Sequence, residues 1–261
     1  ITLSDIKFRF DYAFIIIHGD PGENGKIQSY LELQNIPYNT SGILSSALSF
    51  NKHFCKLFLK NSGIISPESI LLKKGNTFNC DDIKEKVGLP CFVKPNKGGS
   101  SLGASRVTKL MDLDPAIKTA FAEDNEVLVE SFIKGIEISC GLLKTKQMEY
   151  IFPITEIVPK KDFFDYEAKY TEGMSDEITP ARVSEEVKKK CRNISSEIYD
   201  LLNCRGIVRI DYIVKGNQLY FLELNSIPGL TKESIVPKQI RTMGLTMEEI
   251  IDLTISDTIE N

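Results

Sequence analysis

Two stretches near the C-terminal end decide how this chain is read: Arg209-Ile210-Asp211, and Glu223-Leu224-Asn225 running on into Ser226-Ile227-Pro228-Gly229. Apolar and polar residues alternate through Ile207–Val214 and Leu219–Asn225, the period-two signature of strands. Lys215-Gly216-Asn217 between them predicts a hairpin. Alternation puts Arg209 and Asp211 on one face of the first strand, and Glu223 and Asn225 on one face of the second. Val208, Ile210 and Tyr212, with Tyr220, Leu222 and Leu224, are left for a core. If paired residue numbers sum to an even value, both polar sets fall on one side. Two carboxylates and an amide then converge beside an arginine, a hard-oxygen set of the kind magnesium takes. That register needs an odd loop or a bulge, because Gly216-Asn217 alone suggests a two-residue turn. An odd loop or bulge is the expectation. The same alternation also describes a half-buried strand with a solvated face.

Working upstream, Ser184–Asn203 reads as an amphipathic helix, with Val187, Cys191, Ile194, Ile198 and Leu201 on one face and Glu185 and Glu186 at its positive end. Residues 160–182 are long, polar and without period, a loop length that is often functional. Tyr150–Val158, Ile136–Leu143 and Val127–Glu130 read as strands. Cys91–Lys94 is a short strand ended by Pro95, before Gly98-Gly99-Ser100-Ser101; Ala104–Val107 is a candidate second strand. Glycines there let backbone N–H groups wrap a phosphate, although Lys94 precedes them instead of following as in a P-loop. A flexible hairpin tip with a surface lysine fits equally well. Glu130-Ser131-Phe132-Ile133 and Glu137 could bind a purine edge and ribose hydroxyls, or be an ordinary β-turn-β with surface acids. Ile43–Lys60 is expected to be one helix, stopped at Asn61-Ser62-Gly63. Phe8–Ile17 reads as strands, its end suiting a buried parallel strand, before a glycine-rich turn and a helix. The tail, Ser234–Thr258, is expected to be mostly helical.

Composition narrows the classes. The chain has 261 residues, 42% hydrophobic and 26% charged, enough for a sizeable core and against disorder. A net charge of −4 leaves no basic footprint for nucleic acid. The longest apolar run is too short to span a membrane. Six scattered cysteines without a CxxC pair, and only two histidines, disfavour a zinc site or a disulfide framework and suit a cytosolic protein. The chain begins at Ile1 without an initiating Met, which suggests a start inside a longer protein.

The elements also fall in a characteristic order: His18-Gly19, Gly22-Glu23, Gly25, Lys52, Lys94-Pro95, Gly99-Ser100-Ser101, Glu130, Glu137, Asp165-Tyr166-Glu167-Ala168-Lys169-Tyr170, Ile178-Thr179-Pro180-Ala181, and the hairpin ending at Gly229. This series resembles the D-alanine–D-alanine ligase family of the ATP-grasp superfamily, from about Phe8 to the C-terminus. The resemblance implies an α/β, ATP-grasp fold. A partial N-terminal α/β domain (1–41) precedes a central domain (42–132) and a C-terminal catalytic domain (133–261), the last two α+β domains clasping ATP.

It also implies roles. Lys52 and Lys94 would contact ATP phosphates, with Ser101 and the glycine loop closing over them and Lys169 approaching the γ-phosphate. Residues 160–182 would form a lid over the site. Glu130 and the backbone of Ser131, Phe132 and Ile133 would read adenine, and Glu137 would hold the ribose. Asp211, Glu223 and Asn225 would hold two Mg2+ ions, replaceable by Mn2+. Arg209 and the Gly229 N–H would stabilise an oxyanion. His18, Ser100, Tyr170, Ser234 and Ile235 would shape two D-alanine subsites, Tyr170 in a network with Ser100. The implied activity is ATP-dependent ligation of two D-alanines through an acyl phosphate, for peptidoglycan precursor synthesis, by a cytoplasmic homodimer. A D-alanine–D-lactate or other carboxylate-amine ligase is the alternative, as is an inactive nucleotide-binding form. The family's first βα unit, with a glutamate for the first D-alanine, has no counterpart before Phe8. Asn24 stands where Asp is commoner in the family, and Ile235 where Leu is common.

Overall fold

The computed structural model describes residues 2–3, 6–7, 9–99, 102–159 and 175–259. A two-stranded ribbon, β1 (Thr2–Leu3) and β2 (Ile6–Lys7), precedes the first helix, α1 (Lys26–Leu33). The stretch 9–17 between them is not the buried strand its apolar run predicts. Ala13 forms a single parallel bridge to Tyr38, and the Asn39 side chain stands in for a neighbouring strand. Its Oδ1 accepts the Ile15 N–H at 2.6 Å, and its amide donates to the Ile15 carbonyl at 3.1 Å. Only Ile15 of the run is buried, while Ile16 and Ile17 are exposed. A strand exists through its ladder, and among the described residues one bridge and one amide are all the ladder there is.

The predicted helix over 43–60 is two helices, α2 (Ile43–Phe50) and α3 (Lys52–Lys60). Asn51 breaks them apart. It is extended, bridges to Lys97, and caps α3 by accepting the Phe54 N–H at 3.1 Å. The stop at Asn61-Ser62-Gly63 holds, with Gly63 in the left-handed region at φ 80°. Next come β3 (Ser69–Lys73), α4 (Cys80–Val87), β4 (Cys91–Pro95), β5 (Ser105–Val107), α5 (Leu113–Glu123) and β6 (Glu126–Ser131). The four strands make an antiparallel sheet in the order β3-β6-β4-β5. Val93, Val107, Ile117 and Val129 form its core with α4 and α5.

The second sheet holds β7 (Ile136–Lys144), β8 (Glu149–Ile151), β9 (Thr155–Pro159), β10 (Ser175–Ile178), β11 (Val208–Lys215) and β12 (Gln218–Asn225). Its order is β10-β9-β7-β11-β12, with β8 also on β7, and every pairing is antiparallel. Tyr150–Val158 is therefore two strands, β8 and β9. Helix α6 (Glu185–Leu201) is capped by Ser184 and presents Val187, Cys191 and Ile198 to the sheet, as its period predicts. Cys55, Leu59 and Ile64 join this same core, so α3 packs on the larger sheet. The helical tail is α7 (Ile235–Thr242) and α8 (Met247–Ile259), which cover Leu143 and Phe152 on the opposite face. All six cysteines are free thiols. Among the described residues no helix is long and apolar enough to cross a membrane.

Candidate active site

The β11–β12 hairpin has both features that the register argument set against each other. Lys215 pairs with Gln218 across a two-residue turn, and Tyr212 pairs with Phe221. Asp211 nevertheless pairs with Glu223, because Leu222 is an extra residue in a bulge. The bulge carries Arg209, Asp211, Glu223 and Asn225 to one face. It also corrects the expected core. Leu219 and Phe221 are buried with Leu224, while Tyr220 is only partly covered and Leu222 lines the cavity.

Asp211 is nearly fully buried and accepts from every side. Ser139 Oγ donates at 2.6 Å, Arg209 Nε at 3.0 Å and Nη2 at 2.8 Å, and Asn225 Nδ2 at 3.1 Å. Asn225 spends its amide N–H on Asp211, which turns its carbonyl oxygen away from Asp211. Glu223 lies 3.6 Å from Lys52 Nζ, an ion pair too long for a hydrogen bond. Lys52 is put there by the break at Asn51. Its N–H donates to the Asn96 carbonyl at 3.2 Å, and its Nζ donates to the Gly98 carbonyl at 2.7 Å. Buried Asn96 fixes the break, donating to Asn51 Oδ1 at 2.9 Å and Glu126 at 3.0 Å and accepting the His53 N–H at 2.9 Å.

A cavity of about 640 Å³ runs between the two sheets. Lys52, Gly98, Asp211 and Glu223 line it together with Lys94, Glu130, Ser131, Phe132, Ile133 and Glu137. Ten predicted or site-flanking groups from distant parts of the chain thus meet in one space. Glu130 is held by two ammonium groups, Lys94 at 2.7 Å and Lys56 behind it. Burial pushes the Glu130 carboxyl up, but the two lysines more than offset it, and its pKa lies below the ordinary value. Burial pulls Lys56 down, to about 8. The Ser131 and Phe132 N–H groups are already donated, to the Glu68 carbonyl at 2.9 Å and the Pro90 carbonyl at 3.2 Å. The expected backbone reading of a purine edge therefore narrows to the carbonyls and to Ile133.

A small cleft joins Glu23, Lys52, Glu223 and Asn225. Glu23 is buried and accepts the Gly19 N–H at 2.7 Å, ordering the turn that carries exposed His18. Burial raises its pKa, and the Gly19 N–H and His18 offset this only partly. At the other end of the hairpin, a Cβ on Gly229 would come within 2.8 Å of Ser234 Oγ, so the backbone passes close to the start of α7. Ser234 is the N-cap residue and Ile235 the first residue of α7. Helix α7 is tied to the sheet by Gln239, whose amide donates to the Ser139 carbonyl at 2.8 Å and Thr155 Oγ1 at 3.0 Å while its oxygen accepts the Gly141 N–H at 3.1 Å. Ser100, Ser101, Lys169 and Tyr170, and the lid reading for 160–174, lie outside the described residues.

Sequence reasoning quoted Glu23 in the motif series without giving it a role, and passed over Lys56 and Gln239. Lys56 had a signal, since it lies one helical turn after Lys52 and shares its face. Gln239 had none, because its partners, two backbone groups and the Thr155 hydroxyl, lie 84 to 100 residues away.

A family profile described as the D-ala D-ala ligase C-terminus matches residues 58–256. The chain belongs to the D-alanine–D-alanine ligase family. It is 48% identical to the D-alanine–D-alanine ligase of Phocaeicola vulgatus over 98% of its own length and 78% of the relative's. It also superposes on a crystal structure of the Bacillus anthracis ligase complexed with ATP, with a TM-score of 0.83 and 34% identity over 96% of this chain and 80% of that one. The VanG D-Ala:D-Ser ligase of Enterococcus faecalis gives a TM-score of 0.85 at 33% identity, covering 95% of this chain and 73% of that one. The fold is thus ATP-grasp, two antiparallel sheets with a cavity between them.

Proposed function

We propose that this chain joins two D-alanines to D-alanyl-D-alanine at the expense of ATP, through an acyl phosphate, for peptidoglycan precursor synthesis in the cytoplasm. The observation that carries the reading is the Leu222 bulge, which sets Asp211, Glu223 and Asn225 on one face beside Arg209, with Asp211 and Glu223 at the cavity wall. A carboxylate is a poor electrophile until phosphorylated. Lys52 and Lys94 line the cavity as cations suited to a triphosphate. Arg209 is held in place by its paired bonds to Asp211, so a positive group stands ready for an oxyanion without reorganising. The Gly229 N–H is assigned the same role, and His18, Ser234 and Ile235 the amino-acid subsites. Glu137 is assigned the ribose. Ser101 and Lys169 are assigned to the phosphates, and Ser100 and Tyr170 to the second subsite.

The donor set fits magnesium, being hard oxygens only, with the Asn225 carbonyl turned from Asp211. Two Mg2+, or Mn2+, would be held by Asp211, Glu223 and Asn225 and would supply charge neutralisation for phosphoryl transfer. Nucleotide phosphate oxygens would complete the shell. A homodimer belongs to the same reading. Leu44, Phe54, Leu57 and Phe58 are exposed on the adjoining helices α2 and α3 and supply an apolar surface; a monomer in sedimentation at micromolar concentration would refute it.

The test of the activity is phosphate release from ATP with D-alanine alone and with D-alanine plus D-lactate or D-serine, the products identified by mass. D-alanine-dependent release with the dipeptide as main product is expected. ATP binding without D-alanine-dependent turnover would favour an inactive nucleotide-binding form, and a mixed product would favour the other ligases.

A further inference from the structure

We propose that Arg106 contacts the base of the bound nucleotide, its Nε–H donating to a ring nitrogen of the purine. The inference rests on the ATP reading above and adds a residue that the resemblance does not single out. Register places it. Phe92 of β4 pairs with Arg106 on one side and with Glu130 on the other. Directly opposed residues share a face, so Arg106, Phe92 and Glu130 form a row across three strands, and all three line the cavity. Lys94 lies two residues further along β4, on the same face and nearer the glycine loop.

Two groupings line the cavity. Lys52 joins Gly98 and Glu223, its Nζ donating to the Gly98 carbonyl at 2.7 Å and pairing with Glu223 at 3.6 Å, a charged wall suited to phosphates. Phe92 and Phe132 meet beside Arg106 and, with Ile133, supply an apolar wall where a flat base fits. The Arg106 guanidinium sits 4.4 Å from the centre of the Phe132 ring, and Phe132 in turn tilts against Phe92 at 5.8 Å. This contact holds the guanidinium against the ring but satisfies none of its N–H groups. Among the described residues Arg106 forms no ion pair, and its Nε is buried without a hydrogen-bond partner. A buried donor left empty costs free energy and calls for an explanation. A ligand acceptor supplied on binding is that explanation. A purine offers ring nitrogens at its edge, whereas Phe132 offers only a face.

The test uses the full chain with Arg106→Met and Arg106→Lys, each first checked for unchanged thermal unfolding. Calorimetry follows ATP and, as a ligand without a base, inorganic tripolyphosphate. Steady-state assays give KM for ATP and kcat at saturating D-alanine. Arg106→Met is expected to weaken ATP about tenfold or more, the scale of one charged hydrogen bond, and to raise KM with kcat nearly unchanged. Tripolyphosphate binding stays as in the wild type, and Arg106→Lys falls between. Equal weakening of tripolyphosphate would place Arg106 at the phosphates and overturn the base contact. Unchanged ATP binding in both variants overturns it outright while the ligase reading stands. A wild-type chain that fails to bind ATP overturns the ligase reading first and this inference with it.

Discussion

Glu130 and Lys56 show how a single pair tunes the nucleotide pocket. Lys94 faces the cavity, whereas Lys56 stands behind Glu130 and touches no cavity space. With both lysines charged, the carboxylate is shared and Lys94 remains available to a phosphate. Lys56 has its pKa pulled down by burial to about 8, so it gives up its proton just above neutrality. Glu130 then leans on Lys94 alone. KM for ATP should therefore rise above pH 8 in the wild type, and Lys56→Arg, which keeps its charge, should move that rise to higher pH. Superimposable profiles would refute the role. The linkage to stability has a definite sign as well. The Glu130 pKa is lowered on folding, so its contribution is present above the ordinary carboxylate value near 4.5 and is lost as pH falls through the lower folded value. Acid unfolding followed by circular dichroism should shift to higher pH in Lys56→Met. Also lining the cavity is Glu223, where Glu223→Gln keeps the shape of the side chain but removes its charge. It should lower phosphate release about a hundredfold or more while leaving the fold intact, since the Glu223 side chain is 31% exposed. Near-wild-type turnover would sink the metal assignment.

At the scale of elements, the hairpin was legible and the helix break was not. Alternation along β11 and β12 exposes the conflict between a two-residue turn and two carboxylates on one face, and a bulge is what resolves it. Which residue is extra could not be read, because Tyr220, Leu222 and Phe221 are all apolar enough for either face; Leu222 is settled only by packing against the cavity. The 43–60 stretch keeps helical period straight through Asn51, so nothing local marks the break. It exists because buried Asn96, 45 residues on, takes the Asn51 side chain as its partner. The same holds for 9–17, where an apolar run suggested a strand that finds only a single bridge among the described residues. Asn51→Ala tests the element directly. It removes the cap of α3 and a partner of Asn96, and should cost about 1–2 kcal/mol in chemical denaturation. Lys52 would lose its fixed approach to Glu223 and Gly98, so KM for ATP should rise several-fold. A stability loss with no change in KM would mean that α3 alone, not its break, positions Lys52.

For the whole molecule, the question is how the N-terminal unit is held to the sheet that carries the chemistry. The contact is built from few residues. Arg205, just before β11, donates from Nε to the Thr40 carbonyl at 3.0 Å and lies 4.6 Å over the Tyr38 ring. Ser41 Oγ exchanges hydrogen bonds with the Arg205 carbonyl and N–H, both at 3.1 Å. Gly206 completes the joint, in the left-handed region at φ 70° and so close that a Cβ would meet the Asn39 carbonyl oxygen at 1.9 Å. That oxygen is backbone and cannot swing aside, and Asn39 is itself committed to Ile15. Alanine at 206 thus combines a strained φ with a clash that only separation of the two segments relieves. Gly206→Ala should lower unfolding free energy by about 2–4 kcal/mol in denaturant melts. Its functional effect should be selective. The ATP cavity lies between the two sheets and does not include residues 38–41 or 205–206, so ATP binding by calorimetry should stay near wild type. Glu23 and His18 ride on the N-terminal unit, so KM for D-alanine should rise by about tenfold or more if that unit is what closes the amino-acid side. Equal loss of ATP and D-alanine affinity would mean that the joint supports the whole site, and an unchanged D-alanine KM would remove His18 from the substrate subsites.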